Sequence, residues 1–166
     1  MEIRNQTFYN KDLIVSYNNF YLKAYIKKNF LVISIITLAF VIYMLAIKQW
    51  AYAGALVGIL LLYFVLTYFM QKFTTKRILK KSPLVENPVL QSYVFRDKDF
   101  DVTTNQTFTI PYEHIHKAKQ GPDFYMLQST DRKTFLIRFE GFESENDKKH
   151  LGEFFVERYN MKGKVD

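Results

Sequence analysis

The sequence predicts an α+β membrane protein, in which a two-helix transmembrane hairpin precedes a small antiparallel β-sheet or barrel capped by one C-terminal helix. Three observations predict it. Two uncharged apolar runs, 30–47 and 50–70, are separated only by Lys48 and Gln49. Residues 88–142 alternate short aromatic and β-branched runs with polar turns. Near the C-terminus, Leu151, Phe154, Phe155 and Tyr159 recur at helical spacing on one stripe.

At a rise of about 1.5 Å per residue the two apolar runs extend roughly 27 and 31 Å, close to the hydrocarbon thickness of a bilayer. All-round hydrophobicity over such lengths does not suit helices that bury one face in a soluble core. With a dipeptide between them the spans are antiparallel, and Trp50 and Tyr52 suit the headgroup layer at the turn. Lys23, Lys27 and Lys28 precede the first span, while Lys72, Lys76, Arg77, Lys80 and Lys81 follow the second. This asymmetry predicts a multi-pass protein of the cell inner (plasma) membrane with both termini cytoplasmic. The same five residues after the second span form a basic juxtamembrane helix over 71–83. They serve as a topology signal and as a contact for anionic inner-leaflet lipids. Gly54 and Gly58 form a G-x-x-x-G, the spacing at which helices pack closely. It suits packing of the second span on the first, or pairing between protomers in a homo-oligomer.

Outside the hairpin the 166-residue chain has length for one further small domain. Net charge is +7, but the eight basic residues flanking the spans exceed that excess, so no nucleic-acid partner is implied. The absence of cysteine excludes disulfides, thiolate metal sites and cysteine nucleophiles. The first 29 residues lack the pattern of a removable signal peptide, so the first span is expected to act as the insertion signal.

In order along the chain, residues 1–29 form an N-terminal strand and an amphipathic helix. Glu2 to Phe8 alternates as a short strand, and Asn10 is an N-cap residue. Leu13, Tyr17, Phe20, Tyr21 and Ala24 then follow a helical stripe, which either runs into the first span or lies along the membrane surface. After the second span the helix continues to about Leu79 and ends before Pro83. Residues 84–166 form a cytoplasmic β domain with its C-terminal helix. Turns at Asp97-Lys98, Asn105-Gln106, Gly121-Pro122-Asp123 and Thr130-Asp131-Arg132 divide it into about six strands of a meander. Ser144 with Asp147 makes a variant capping box, and the final helix ends near Met161, before Gly163. The short N-terminal strand needs a sheet to pair with. It is expected to join the C-terminal one, with Ile3 and Phe8 contributing contacts.

Certain motifs resemble the YcxB-like family of small bacterial membrane proteins. They are Asn10-Lys11-Asp12, the double span, Tyr93-Val94-Phe95 with its turn, Ile110-Pro111-Tyr112-Glu113-His114-Ile115 with Lys117-Ala118, Phe124-Tyr125-Met126-Leu127, and residues 135–139. The resemblance covers nearly the whole chain. Members often carry a Pro-Lys step where this chain has Ile137-Arg138. The resemblance implies that 84–166 is of pleckstrin-homology-like type, and it implies an anchored module without naming a molecular activity.

His114 and His116 are the residues most like metal ligands, since alternate strand positions would share a face. A third ligand would have to come from His150, Glu113 or Asp123, and two histidines alone do not make a site. Asp97, Asp99 and Asp101 lack the glycine and terminal glutamate of an EF-hand loop. Neither Ser129 nor Ser144 sits in a nucleophile motif, and no phosphate-binding loop is present. No catalytic, cofactor or metal residue is therefore assigned, and the chain is read as a non-enzyme. The expected function is a membrane-anchored interaction module that binds a protein or peptide partner or self-assembles at the inner leaflet. Asp97-Lys98-Asp99 and Asp123 argue against inositide binding. The alternatives are a small metal-dependent hydrolase using Glu113, His114 and His116, or protection against a membrane-active peptide.

Overall fold

The computed structural model describes residues 2–161, apart from the side chains of Ile78, Lys81 and Pro83. Strand β1 (Ile3–Tyr9) leads into α1 (Lys11–Ala46) and α2 (Trp50–Lys81). A short helix α3 (Pro83–Glu86) precedes β2 (Val89–Phe95), β3 (Asp99–Thr103) and β4 (Thr107–Pro111). A 3-10 turn at Tyr112–His114 then leads to β5 (Ile115–Gln120), β6 (Phe124–Ser129), β7 (Thr134–Arg138), a second 3-10 turn at Phe139–Gly141 and α4 (Glu145–Tyr159). The fold is thus α+β, with two long apolar helices and two small antiparallel sheets. Two compact units result, one of residues 1–17 with 82–166 and one of residues 18–81.

The first unit draws on both ends of the chain, because β1 pairs antiparallel with β2 from Ile3 opposite Phe95 to Tyr9 opposite Val89. The N-terminal strand thus joins the C-terminal sheet as expected. Its inward residues are Ile3, Asn5 and Thr7, all buried, whereas Phe8 is 45% exposed. Phe8 was expected inside. The alternation that buries Ile3 turns Phe8 outward, and polar Asn5 and Thr7 take the inner positions.

Six strands follow the helices as expected, but they do not form one meander. Strands β1-β2-β3-β4 make one sheet and β5-β6-β7 another. The chain changes sheet at Pro111, which lacks the N–H a continuing ladder requires, and the 3-10 turn follows it. Both sheets feed one aromatic core. Phe100 stacks on Phe95 at 5.5 Å, lies 5.6 Å from Tyr112, and meets Phe135 of the other sheet edge-to-face at 5.5 Å.

Helix α4 closes the end of this core where β2 finishes. Ser144 Oγ accepts from Asp147 N–H at 3.0 Å, the expected cap, and Asn160 ends the helix in the left-handed conformation, short of Met161. Gly163 lies outside the described residues. Leu151 and Phe155 are fully buried, and Phe155 meets Phe95 at 6.2 Å and Tyr125 at 5.7 Å. Tyr159 Oη also donates to Tyr112 O at 2.9 Å.

The second unit is the helix pair. Asn10 caps α1 through Leu13 N–H at 3.0 Å, and the helix runs unbroken to Ala46. Within the pair, half-buried Leu22, Ile26, Asn29, Ile33, Thr37 and Val41 recur three or four residues apart. On α2 the corresponding row is Ala53, Leu56, Leu60, Phe64, Thr67 and Gln71. The expected stripe fails at Tyr21 and Ala24, which are exposed because this seam uses neighbouring positions. Gly54 and Gly58 also lie outside it. Both are exposed, and a Cβ on either would meet nothing within 4 Å. The G-x-x-x-G does not pack α2 on α1; Ala53 is the small residue that does, at 4% exposure.

The turn is a Schellman motif, with Gln49 N–H bonded to Met44 O at 2.8 Å and Lys48 N–H to Leu45 O at 3.0 Å. Lys48 adopts the left-handed conformation there, at φ 60°. Away from the seam, large apolar side chains stand exposed along both helices, among them Ile35, Leu61 and Phe69 at 60–62%. Both helices are long and apolar enough to cross a membrane.

Candidate functional site

The end of the β unit remote from α4 holds a cavity of about 410 Å³, lined by Tyr9, Leu84, Val89, Gln91, Thr104, Lys133, Thr134 and Phe135. It sits where β1 ends and β2 and β7 begin. Its walls come from both sheets, and its location depends on how they meet.

They meet through side chains rather than a continuous backbone ladder. Asn5 Nδ2 donates to Arg138 O at 2.8 Å, Arg138 N–H donates to Thr7 Oγ1 at 2.9 Å, and Thr7 Oγ1 donates to Asn5 Oδ1 at 2.7 Å. Inward polar residues on β1 thus satisfy the edge of β7, which would otherwise bury unpaired amide and carbonyl groups. An isolated bridge from Asn5 to Phe142 extends the junction.

At the cavity itself the same device continues through Tyr9. Leu136 N–H donates to Tyr9 Oη at 2.8 Å, and Tyr9 Oη lies 3.0 Å from Tyr93 Oη. The Tyr93 hydroxyl donates to Gln91 Oε1 at 2.8 Å, and Gln91 Nε2 in turn donates to Thr104 Oγ1 at 3.3 Å, while the Tyr9 hydroxyl donates to Leu136 O at 3.2 Å. This chain runs from β7 across β1 and β2 to the residue after β3. Burial pushes the Tyr9 hydroxyl up and holds the Tyr93 hydroxyl well above the usual phenol range. Both are neutral near pH 7. Tyr93 lies behind the wall, so the polar side chains that line the cavity are Tyr9, Gln91, Thr104 and Thr134, with Lys133 exposed at the rim. The arrangement can hold a ligand group that is apolar on one side and hydrogen-bonding on the other.

The residues singled out in the sequence lie elsewhere. His114 occupies the 3-10 turn and His116 a bulge where the β5–β6 register shifts between Ile115 and Lys117. A bulge breaks alternation, so the two imidazoles do not share a strand face, and both side chains are exposed. Among the described residues no three His, Asp or Glu side chains lie close enough to hold a metal ion. Asp99 and Asp101 instead flank Arg96 as ion pairs, and Asp101 accepts from Thr109 Oγ1 at 2.6 Å. That hydrogen bond, followed by Arg96, holds the Asp101 carboxyl below the usual range. Asp123 accepts from Ser16 Oγ and lies 3.6 Å from Arg138. Ser129 is buried and accepts from Lys133 N–H at 3.2 Å, while Ser144 is the helix cap. Lys72, Lys76, Arg77 and Lys80 are exposed on the last turns of α2, and the side chain of Lys81 lies outside the described residues.

Sequence reasoning missed the Tyr9–Tyr93–Gln91 chain altogether. The register that places Thr7 opposite Gln91 joins residues on either side of the hairpin, and no local signal in the sequence carries that pairing. Set against protein-family profiles, curated proteins and solved structures, the chain matches none of them.

Proposed function

We propose that the chain is a membrane-anchored interaction module. Its hairpin spans the plasma membrane with both termini cytoplasmic, and a pleckstrin-homology-like domain held at the inner leaflet binds a protein or peptide partner or a second copy of the chain. The observation that carries this reading is that β1 precedes the hairpin and β2 to β7 follow it, yet one domain uses both. Such a domain is tethered to the hairpin by two chain connections, an arrangement suited to holding a binding surface near a membrane.

The bilayer part is supported by the exposed apolar side chains of α1 and α2, which need a non-aqueous surrounding. The orientation is supported by basic residues clustered at the open end of the hairpin against Lys48 alone at its turn. Sheets of four and three strands with one C-terminal helix support the pleckstrin-homology-like part and the YcxB-like resemblance. Exposed Lys72, Lys76, Arg77 and Lys80 suit contact with anionic inner-leaflet lipids.

Site-specific photo-crosslinking of the full chain in native membranes tests the module. A crosslinker at exposed Thr104, on the cavity rim, should give one discrete adduct, and one at Glu153 on the outer face of α4 should not. Filling the cavity with Thr134→Trp should abolish the adduct. An adduct of twice the chain's mass would identify self-assembly, and equal labelling from both positions would refute a binding surface at the cavity.

A further inference from the structure

Within the helix pair a second cavity of about 440 Å³ lies between α1 and α2, with Lys23, Lys27 and Phe30 on one wall and Phe64, Tyr68 and Gln71 on the other. Its chemistry is graded along the helix axis. Phe30 and Phe64, their ring centres 4.0 Å apart and the rings tilted by 33°, form an aromatic floor at one end. The two lysines, one helical turn apart, form a cationic rim at the other. Between Leu13 and Val85 the sequence holds no Asp or Glu, so the hairpin supplies no counter-ion to this rim. Beside it, the amide nitrogen of Gln71 is buried and has no hydrogen-bond acceptor. A buried donor without an acceptor is costly, and two lysines on an apolar cleft add a charge that nothing in the hairpin balances.

We propose that this cleft is a binding site for one anionic glycerophospholipid. The phosphate lies between Lys23 and Lys27, an ester or phosphate oxygen accepts from Gln71 Nε2, and an acyl chain follows Phe30 and Phe64. The position suits that occupant. Lys27 precedes the uncharged run that begins at Phe30, and Gln71 directly follows the run that ends at Met70, so the cleft straddles the depth at which headgroup gives way to chain. A free anion would satisfy the lysines but leave the aromatic floor empty, so both halves of the cleft require a lipid. The site rests on the membrane reading above. It differs from the exposed Lys72, Lys76, Arg77 and Lys80 at the end of α2, none of which lines this cleft.

Native mass spectrometry of the detergent-purified full chain with phosphatidylglycerol or phosphatidylcholine of matched acyl chains tests the site. One phosphatidylglycerol should be retained about tenfold more strongly than phosphatidylcholine. Lys23→Gln with Lys27→Gln should remove that preference, and Gln71→Leu should weaken retention of the lipid several-fold. Lys72→Gln with Lys76→Gln should leave it unchanged. Equal retention of the two lipids overturns the proposal, as does an equal loss from the Lys72 and Lys76 pair, which would mean diffuse attraction. Displacement of the lipid by millimolar inorganic phosphate would mean a simple anion site and overturns it as well. Carbonate extraction of membranes separates the two levels. Wild-type protein released by carbonate refutes the membrane reading, whereas protein that stays in the membrane yet shows no lipid preference refutes the cleft alone.

Discussion

Thr7→Val tests the junction on which the β unit depends. The side chain is fully buried, and valine matches its shape, so the substitution opens no cavity. What it removes is a hydroxyl that accepts from Arg138 N–H at 2.9 Å and donates to Asn5 Oδ1 at 2.7 Å. Each buried group left unpaired costs roughly 1–3 kcal/mol, so the pair places the loss at about 2–6 kcal/mol. Thr7→Ser keeps the hydroxyl and loses one methyl, at about 1 kcal/mol. The contrast between the two variants isolates the hydrogen bonds from the packing. Hydrogen exchange on the detergent-solubilised full chain reads the effect locally. The Arg138 amide should exchange at least about fivefold faster in Thr7→Val than in Thr7→Ser, because the difference is about 1 kcal/mol or more and about 1.4 kcal/mol corresponds to a factor of ten. Equal exchange in the two variants would show that β1 does not hold β7 through this hydroxyl, and the junction as described would be wrong.

Phe155→Ala should cost about 3–5 kcal/mol in urea unfolding, since its ring is fully buried between Phe95 and Tyr125. Stability should fall as pH rises from 10, because burial, with Glu145 second, pushes the Tyr125 hydroxyl up to about 12; the unfolded chain then releases a proton that the folded one keeps. Tyr125→Phe should flatten that fall between pH 10 and 12 in alkaline titrations of the folded state. Lys48→Gly should raise the thermal midpoint of the helix pair, since glycine relieves a left-handed residue worth about 1 kcal/mol. A cysteine at Gln49 should react with an impermeant thiol reagent in intact cells and one at exposed Asn105 should not; the opposite pattern refutes the proposed orientation.

What the sequence showed best were features set by local chemistry. Asn10 and Ser144 cap their helices because a side-chain oxygen one turn before a free amide suffices. The Asp97-Lys98 turn closes through Arg96 N–H to Asp99 O at 2.9 Å between residues already near in the chain. Pairing of β1 with the C-terminal sheet was also legible, since a strand that short needs a partner. The failures share one cause, which is orientation fixed by distant partners. Phe8 looked like core because it is apolar, but the register to β2 gives the inner face to Asn5 and Thr7. Gly54 and Gly58 were one candidate for packing the second span on the first, but within the chain the seam rotates Ala53 inward instead. The cavity by Tyr9 was invisible for the same reason, since its walls come from segments before and after the hairpin.

The insertion of the hairpin between β1 and β2 has an energetic consequence of its own. Pairing these strands closes a connection of roughly 80 residues, and closure entropy grows by about 0.6 kcal/mol per doubling of length. The folded helix pair shortens that connection, because Asn18 Nδ2 donates to Thr75 Oγ1 at 2.9 Å and joins the two helices near their outer ends. Only roughly 20 residues then remain to be closed, two doublings fewer, so a formed hairpin favours docking of β1 by about 1.2 kcal/mol. The helices should therefore form first and the strand dock second. Two chains in which residues 18–81 are replaced by Gly/Ser linkers, one of equal length and one about a quarter of it, measure the difference. The short linker leaves about 32 residues to close against about 80, and it should slow exchange of the β1 amides by roughly fourfold relative to the long one. Equal protection in both would show that β1 docks without help from the helices, and the inferred folding order would be lost.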